Sequence, residues 1–310
     1  MATLPEWVEG MRPRTLPLSI SPVIAGSAVA MAADSFHWVR ALLALVVGVA
    51  MQIGVNLSND YSDGVRGTDA YRVGPQRLVG SGAATPGAVK RAAFLSFGVG
   101  CLAGFGLILL THLWWLVAVG AAIVVAAWFY TGGRHPYGYI GLGEVSVFIF
   151  FGFVAAFGTV LVQTGPMIIG AAAPAMPDAG RYIAAALAVT LAQGAGACAV
   201  LVANNLRDIP TDQLAGKKTL SVRLGDHRSR ALFIWLAVIS AAASVATALL
   251  TRLPGLLCLV MVIWLAPAIA IVVRGAAGFK LVRALKLVGL AQLAGAIGLL
   301  AGVYLSAQLN

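Results

Sequence analysis

The chain is short of charge. Asp, Glu, Lys and Arg together make up 10% of its 310 residues and apolar residues 60%, against roughly 25% and 45–50% in soluble domains. Mean hydropathy is +0.91. A water-soluble fold needs more polar surface than this composition supplies, so the chain is read as an integral membrane protein. Ten-residue alternating segments are missing, which excludes a membrane β-barrel and leaves an all-α polytopic fold. Cysteine is scarce too. Cys101, Cys198 and Cys258 fall in three separate apolar runs. That spacing excludes a disulfide framework and a thiolate metal site, and leaves them as small packing residues. A cleavable leader is not expected, because Glu6, Glu9, Arg12 and Arg14 crowd the first fourteen residues and Pro13 and Pro17 follow. A leader has a basic start, a short apolar core and a small-residue cleavage site.

What is present is a series of apolar runs long enough for bilayer-crossing helices, which need about 20 residues each. Nine are expected, near 16–33, 40–57, 92–110, 113–130, 142–164, 182–203, 231–250, 254–273 and 286–308. The chain then reads as one membrane-embedded domain, 1–310. Nine spans put the termini on opposite sides. Of the 21 Lys and Arg residues, all but Arg40, Arg181 and Arg252 then fall on the N-terminal side. Basic residues collect on the cytoplasmic side, so the N-terminus and the loops after spans two, four, six and eight are expected there. The same bias explains much of the net charge of +10 without nucleic acid. Asp60, Asp63, Asp69, Asp208, Asp212 and Asp226 share that side, in two long loops, about 59–91 and 204–230.

These loops repeat a pattern. Asn56 and Asp60 share the Asn-x-x-x-Asp spacing of Asn204 and Asp208, four spans later. The spacing suggests duplicated four-helix units, about 16–130 and 142–250, with final helices at 254–308. Residues at i, i+4 and i+7 share a helix face, so Gln52, Asn56, Asp60 and Asp63 form a polar stripe at the end of span two. Pro210 is expected to end the sixth span near Asp208 and leave Asp212 on a loop. A single acid at a membrane border is usually just solvated, the reading favoured for Asp226. Two matched clusters at the edge of apolar segments point instead to function. Carboxylates beside Arg66, Arg72, Arg77, Arg207, Lys217, Lys218 and Arg223 suit Mg²⁺, which binds one or two carboxylates plus substrate phosphates. A diphosphate whose body lies in the bilayer is a lipid diphosphate.

AsnAspTyrSerAsp (Asn59–Asp63), AsnAsnLeuArgAspIleProThrAsp (Asn204–Asp212) and GlyLysLysThrLeu (Gly216–Leu220) resemble the UbiA superfamily of intramembrane prenyltransferases. ArgProArgThrLeuPro (Arg12–Pro17), GlyProGlnArgLeuValGlySerGly (Gly74–Gly82) and GlyLeuGlyGluVal (Gly141–Val145) resemble its 1,4-dihydroxy-2-naphthoate polyprenyltransferase branch, which serves menaquinone biosynthesis. The likeness runs from about residue 12 to 225. Where many members carry a further Asp this chain has Gly67, and its next acid is Asp69. The resemblance implies nine helices around a central cavity, with two Asp-rich motifs facing each other across it. It further implies Mg²⁺-dependent transfer of a polyprenyl group from its diphosphate to an aromatic ring, with loss of CO₂ if the acceptor is dihydroxynaphthoate. A bacterial cell membrane is the expected location.

On that footing Asp60, Asp63, Asp208 and Asp212 are the expected catalytic and metal-binding residues. Asn56, Asn59 and Asn204 orient carboxylates or touch the diphosphate, and Arg77, Lys217 and Lys218 neutralise it. Arg134, or else Arg77, meets the acceptor carboxylate. Tyr130 and Tyr137 line the cavity or anchor the interface. Arg207 serves the site or covers lipid head groups, and Glu144 is a third functional acid or favours a helix N-terminus. Two other classes compete. A secondary transporter also has repeats and intramembrane acids, but places its site at the midplane. A liponucleotide phosphatidyltransferase would show Asp-Gly-x-x-Ala-Arg, which Asp63-Gly64-Val65-Arg66 lacks. The charge split is checked by single-cysteine labelling in intact cells. A cysteine near Ser62 should react only from the cytoplasmic side and one near Pro174 only from outside, and the opposite pattern reverses the orientation.

Overall fold

Backbone amides in a bilayer must be satisfied within the chain, and the computed structural model is accordingly all-helical. It describes residues 2–68, 77–165 and 178–309, and no strand occurs among them. Asp69, Arg72 and Pro174 lie outside these residues. Helix α1 (Leu4–Gly10) and a 3₁₀ turn (Pro13–Thr15) lead into α2 (Pro17–Ala32). There follow α3 (Trp38–Arg66), α4 (Pro86–Thr111), α5 (Leu116–Phe129) and α6 (Gly143–Thr164), then α7 (Ala179–Leu214), α8 (Leu220–Thr251), α9 (Leu253–Val273) and α10 (Lys280–Gln308).

A helix covers each of the nine expected runs, but among the described residues only seven are long and apolar enough to cross a membrane. The exceptions are α2 and α5. Pro17 opens α2, which bends by 48° from Leu4–Thr15; the bent pair taken together makes an eighth span. Helix α5 has 14 residues, about 21 Å at 1.5 Å per residue, short of the ~30 Å hydrocarbon layer.

Among the described residues, helix takes up both ends of each long acidic loop, which corrects the expectation. Helix α3 continues nine residues past its apolar run, until Gly67 adopts the left-handed C-cap at φ 72°. Thr85 caps α4 by accepting from the Ala88 amide, and Pro86 supplies a first-turn φ. Helix α7 runs through Pro210 to Leu214, so Asp212 stays helical. Near a helix end the ring removes one donor and leaves only one carbonyl, that of Leu206, without its partner. Ser62 is buried, so exposed Lys218, between α7 and α8, is the better labelling position for that side.

Helix α7 is the axis of the bundle, with 78% of its most apolar window buried. It packs along α8 and against α6, α10 and α2, while α3 pairs with α4 and α10 with α2 and the 3₁₀ start of α9. Lipid tails are as apolar as leucine, so close backbone approach does much of the work at such contacts. On α10, a Cβ at Gly302 would stand 2.0 Å from the Pro254 carbonyl oxygen, and one at Gly298 2.4 Å from that of Leu257. At Gly196 on α7 it would meet Gln292 Nε2 at 2.0 Å. Gln292 donates to Ser240 Oγ at 2.6 Å, and Ser240 donates to the Ala192 carbonyl at 2.8 Å, stitching α10, α8 and α7 together. Cys198 and Cys258 are buried packing residues, and Cys101 is exposed. The Pro254 carbonyl is backbone and cannot swing aside, so Gly302→Ala should cost about 1–3 kcal/mol through overpacking. A thermal midpoint in detergent equal to wild type would show that α10 has slack here.

Candidate active site

The ends of α3 and α7 meet the turns that precede α6 and α8 around a polar pocket of about 130 Å³. Asn59 and Asp63 enter from α3, and Asn204, Asn205, Asp208 and Asp212 from α7. Arg77, Tyr139 and Lys217 come from the intervening segments and Arg12 from the chain start. Beside it lies an apolar chamber of about 1140 Å³ among α2 to α7. Arg12, Asn59, Tyr130, Leu201 and Asn204 line both and form the neck between them.

Asp63 is the most heavily tied carboxylate. Arg77 Nη2 donates to one oxygen at 3.4 Å and Lys217 Nζ to the other at 3.3 Å. The Tyr139 hydroxyl donates to that second oxygen as well. Lys217 Nζ also sits over the Tyr139 ring, 4.4 Å from its centre. Burial, reinforced by the Asp63 charge, pushes the Tyr139 hydroxyl far above its usual range and keeps it a donor. Across the pocket Arg207 forks onto Asp208 with two bonds of 2.6 Å and bonds Asn204 Oδ1 at 2.9 Å. Arg207 is buried, so it does not cover lipid head groups. Asn59 is oriented by Thr131 Oγ1, which donates to it at 2.7 Å, while Arg66 donates to the Thr131 and Gly133 carbonyls.

Several expected site residues are placed elsewhere. Asp60, 1% exposed, accepts from the Leu78 amide at 2.8 Å and the Val79 amide at 2.9 Å. It faces away from the pocket and folds the segment that carries Arg77. Asn56 donates to the Met11 carbonyl at 2.9 Å and lies toward Thr15 Oγ1. The matched pairs across the pocket are therefore Asn59 with Asp63 and Asn204 with Asp208. Asn56 and Asn59 are three positions apart, close to one turn, and about 60° of helix rotation decides which face meets α7. Lys218 is exposed and Lys217 faces the pocket. Arg134 is exposed and lines neither cavity. Tyr137 borders the chamber beside Tyr130. Glu144 is buried and accepts from Asn205 Nδ2 at 3.0 Å, so it acts on the pocket through Asn205. Asp226 is paired with Arg230 one helical turn on in α8, away from both cavities. Sequence reasoning missed Tyr139, Asn205, Thr131 and the neck position of Arg12. Asn205 adjoins a chosen residue, and Tyr139 sits in a Gly-flanked turn two residues before GlyLeuGlyGluVal.

Among the described residues no three His, Cys, Asp or Glu side chains converge as a ready metal cage. Mg²⁺ does not need one, since it keeps waters and takes one or two carboxylates plus phosphate oxygens. Asp63, Asp208 and Asp212 around a small pocket with Arg77 and Lys217 fit that donor set. A charged pocket opening onto a chamber sized for a lipid tail defines a membrane-embedded enzyme acting on a lipid-linked anion.

The comparisons name the class. The pattern of the UbiA prenyltransferase family matches residues 19–287, and the chain belongs to that family and is a prenyltransferase. The 1,4-dihydroxy-2-naphthoate octaprenyltransferase of Mycobacterium tuberculosis is 54% identical over 233 residues, 75% of this chain and 74% of that protein. The protein of the same name from Escherichia coli is 39% identical, over 72% and 70%. A UbiA homolog from Aeropyrum pernix superposes with TM-score 0.65 at 16% identity, over 93% of this chain and 98% of that one. One from Archaeoglobus fulgidus, bound to GPP and Mg²⁺, gives 0.61 at 11% identity over 96% and 99%. The transporter and phosphatidyltransferase readings fall away.

The placement of Asp60 separates fold from chemistry. Asp60→Asn offers one carbonyl oxygen where two amides need acceptors, and bonds to charged groups are worth about 1.5–3 kcal/mol. It should lower the thermal midpoint along with turnover. Asp63→Asn should cut turnover by several decades, and it should lower the midpoint as well, because Arg77 and Lys217 lose their charged partner. A wild-type midpoint for Asp60→Asn would return Asp60 to the chemistry.

Proposed function

We propose that the protein transfers a polyprenyl group from its diphosphate to 1,4-dihydroxy-2-naphthoate, with loss of CO₂, to give demethylmenaquinol. The observation that carries this reading is the neck, where a charged pocket for a diphosphate meets an apolar chamber for a tail. The names of the relatives at 54% and 39% identity support the acceptor. Asp63, Asp208 and Asp212 would hold Mg²⁺, directly or through water. When bound, the ion neutralises charge on the diphosphate oxygens. Arg77 and Lys217 add fixed positive charge where the leaving group forms, and Tyr139 keeps the Asp63 carboxylate aimed. Asn59 and Asn204 flank the point where the allylic carbon must sit. As the C–O bond breaks, the diphosphate departs with the electron pair. The ring carbon bearing the carboxylate forms the new C–C bond. CO₂ leaves, its bonding pair returns to the ring, and no net proton is transferred. The apolar chamber walls beside the neck keep water from trapping the allylic cation.

The excess of basic residues on one side supports a pocket that faces the cytoplasm in a bacterial cell membrane. The spacing of Asn59 and Asp63 on α3, repeated by Asn204 and Asp208 on α7, supports descent from a duplicated four-helix unit.

Purified protein with labelled polyprenyl diphosphate and a panel of ring acceptors tests the reading. Transfer to dihydroxynaphthoate should require Mg²⁺, and turnover in excess chelator would sink the metal role. Asp63→Asn and Asp208→Asn should each cut turnover by several decades, with the double variant barely worse, because groups acting as a unit are strongly non-additive. Losses that multiply would separate the two acids.

A further inference from the structure

We propose that Arg12 binds the carboxylate of the aromatic acceptor, at the neck between the polar pocket and the apolar chamber. Arg12 is the sole charged side chain among the described residues lining the chamber, and it lines the polar pocket as well. Its Nη2 is buried with no hydrogen-bond partner among the described residues. A buried guanidinium nitrogen without an acceptor is costly unless a ligand supplies one.

The backbone is built to hold it there. Arg12 sits at φ 56°, ψ 65°, in the left-handed region that a non-glycine residue adopts only when its surroundings impose it. The surroundings are on α3. Asn56 Nδ2 donates to the Met11 carbonyl at 2.9 Å, and Gln52 and Asn56 both reach Thr15 Oγ1. Thr15 in turn donates through its amide and its hydroxyl to the Arg12 carbonyl. The polar stripe ahead of the catalytic pair thus clamps the turn that presents Arg12.

The chemistry selects the ligand. The other pocket-lining cations, Arg77 and Lys217, gather on Asp63, where the diphosphate is proposed to lie. The acceptor ring must reach the allylic carbon at the neck, and its carboxylate is attached to the carbon that reacts. A cation that recognises this carboxylate must therefore stand at the neck, with apolar walls beside it for the ring. Arg12 meets both conditions, and exposed Arg134 meets neither. The carboxylate loses its charge as CO₂ forms, so the contact is strongest in the ground state. It contributes binding and selectivity more than rate.

The proposal rests on an acidic aromatic acceptor, and the test separates the two assumptions. Full-length protein carrying Arg12→Ala is assayed with each substrate varied. The acceptor KM should rise by about 10- to 100-fold and the prenyl diphosphate KM by no more than about twofold. Arg12→Lys keeps the charge but loses the planar fork, and should recover part of the loss. Binding supplies a readout without turnover. Arg12→Ala should weaken 1-hydroxy-2-naphthoate and leave 1-naphthol, which has no carboxylate, unchanged. If the alanine variant does not fold, the lysine variant is read alone and should weaken the acid selectively. A rise in the prenyl diphosphate KM instead, or equal weakening of both naphthalenes, overturns the proposal. If the wild type rejects dihydroxynaphthoate but prenylates another aromatic acid, the acceptor assignment fails and Arg12 is tested with that acid. If it prenylates only rings lacking a carboxylate, the present proposal fails.

Discussion

The Asp63 carboxylate is the point on which the site depends. Arg77, Tyr139 and Lys217 reach it from three separate stretches of chain. The helices beneath are mostly Ala, Val, Leu and Gly, whose dispersion contacts set distances but are poor at fixing which segment lies where. A buried, charge-assisted junction is directional, so a single carboxylate sets the register of the loops around the pocket. Asp60 does the same for the segment that follows Arg77, and Arg66 for the turn at Thr131 that orients Asn59. The polar residues outside the reaction thus hold the reacting ones in place.

How far the sequence could be read follows from which features are periodic. Apolar runs show their length directly, and a helix was found at each expected place. The polar stripe on α3 was legible because i, i+4 and i+7 share a face. Its orientation was not, since Asn56-x-x-x-Asp60 and Asn59-x-x-x-Asp63 have the same spacing and only packing against α7 distinguishes them. Pro210 misled for a related reason. The residue penalty is local, whereas the fate of the last turn of α7 depends on what the turn packs against. Lys217 and Lys218 are neighbours in sequence, and only the bond to Asp63 separates them. Arg12 was named in a motif but given no role, because its placement depends on an unusual backbone conformation held by a helix forty residues later.

Helix α6 shows how the chamber is shaped. Its middle, Phe148–Phe157, is wound as a π-helix between two α-helical ends. The wider turn spreads Phe150, Phe151, Phe153 and Val154 along the chamber wall, a use of irregular helix geometry common at functional sites. Gly152 meets the Thr190 carbonyl on α7, where a Cβ would stand at 2.9 Å, and so seats the widened segment against the central helix.

Among the described residues, α8 and α9 contribute nothing to the chamber, and α10 contributes only Leu285. The C-terminal third is a buttress for α7 and α2. Drift there changes how well the enzyme folds and leaves its choice of isoprenoid alone. Selection for a longer or shorter tail has to act on α2 to α7 or on Leu285, and so does resistance to an inhibitor that occupies the tail's place. A resistant variant mapping to α8 or α9 would owe its effect to a shifted bundle, with a stability defect as its signature.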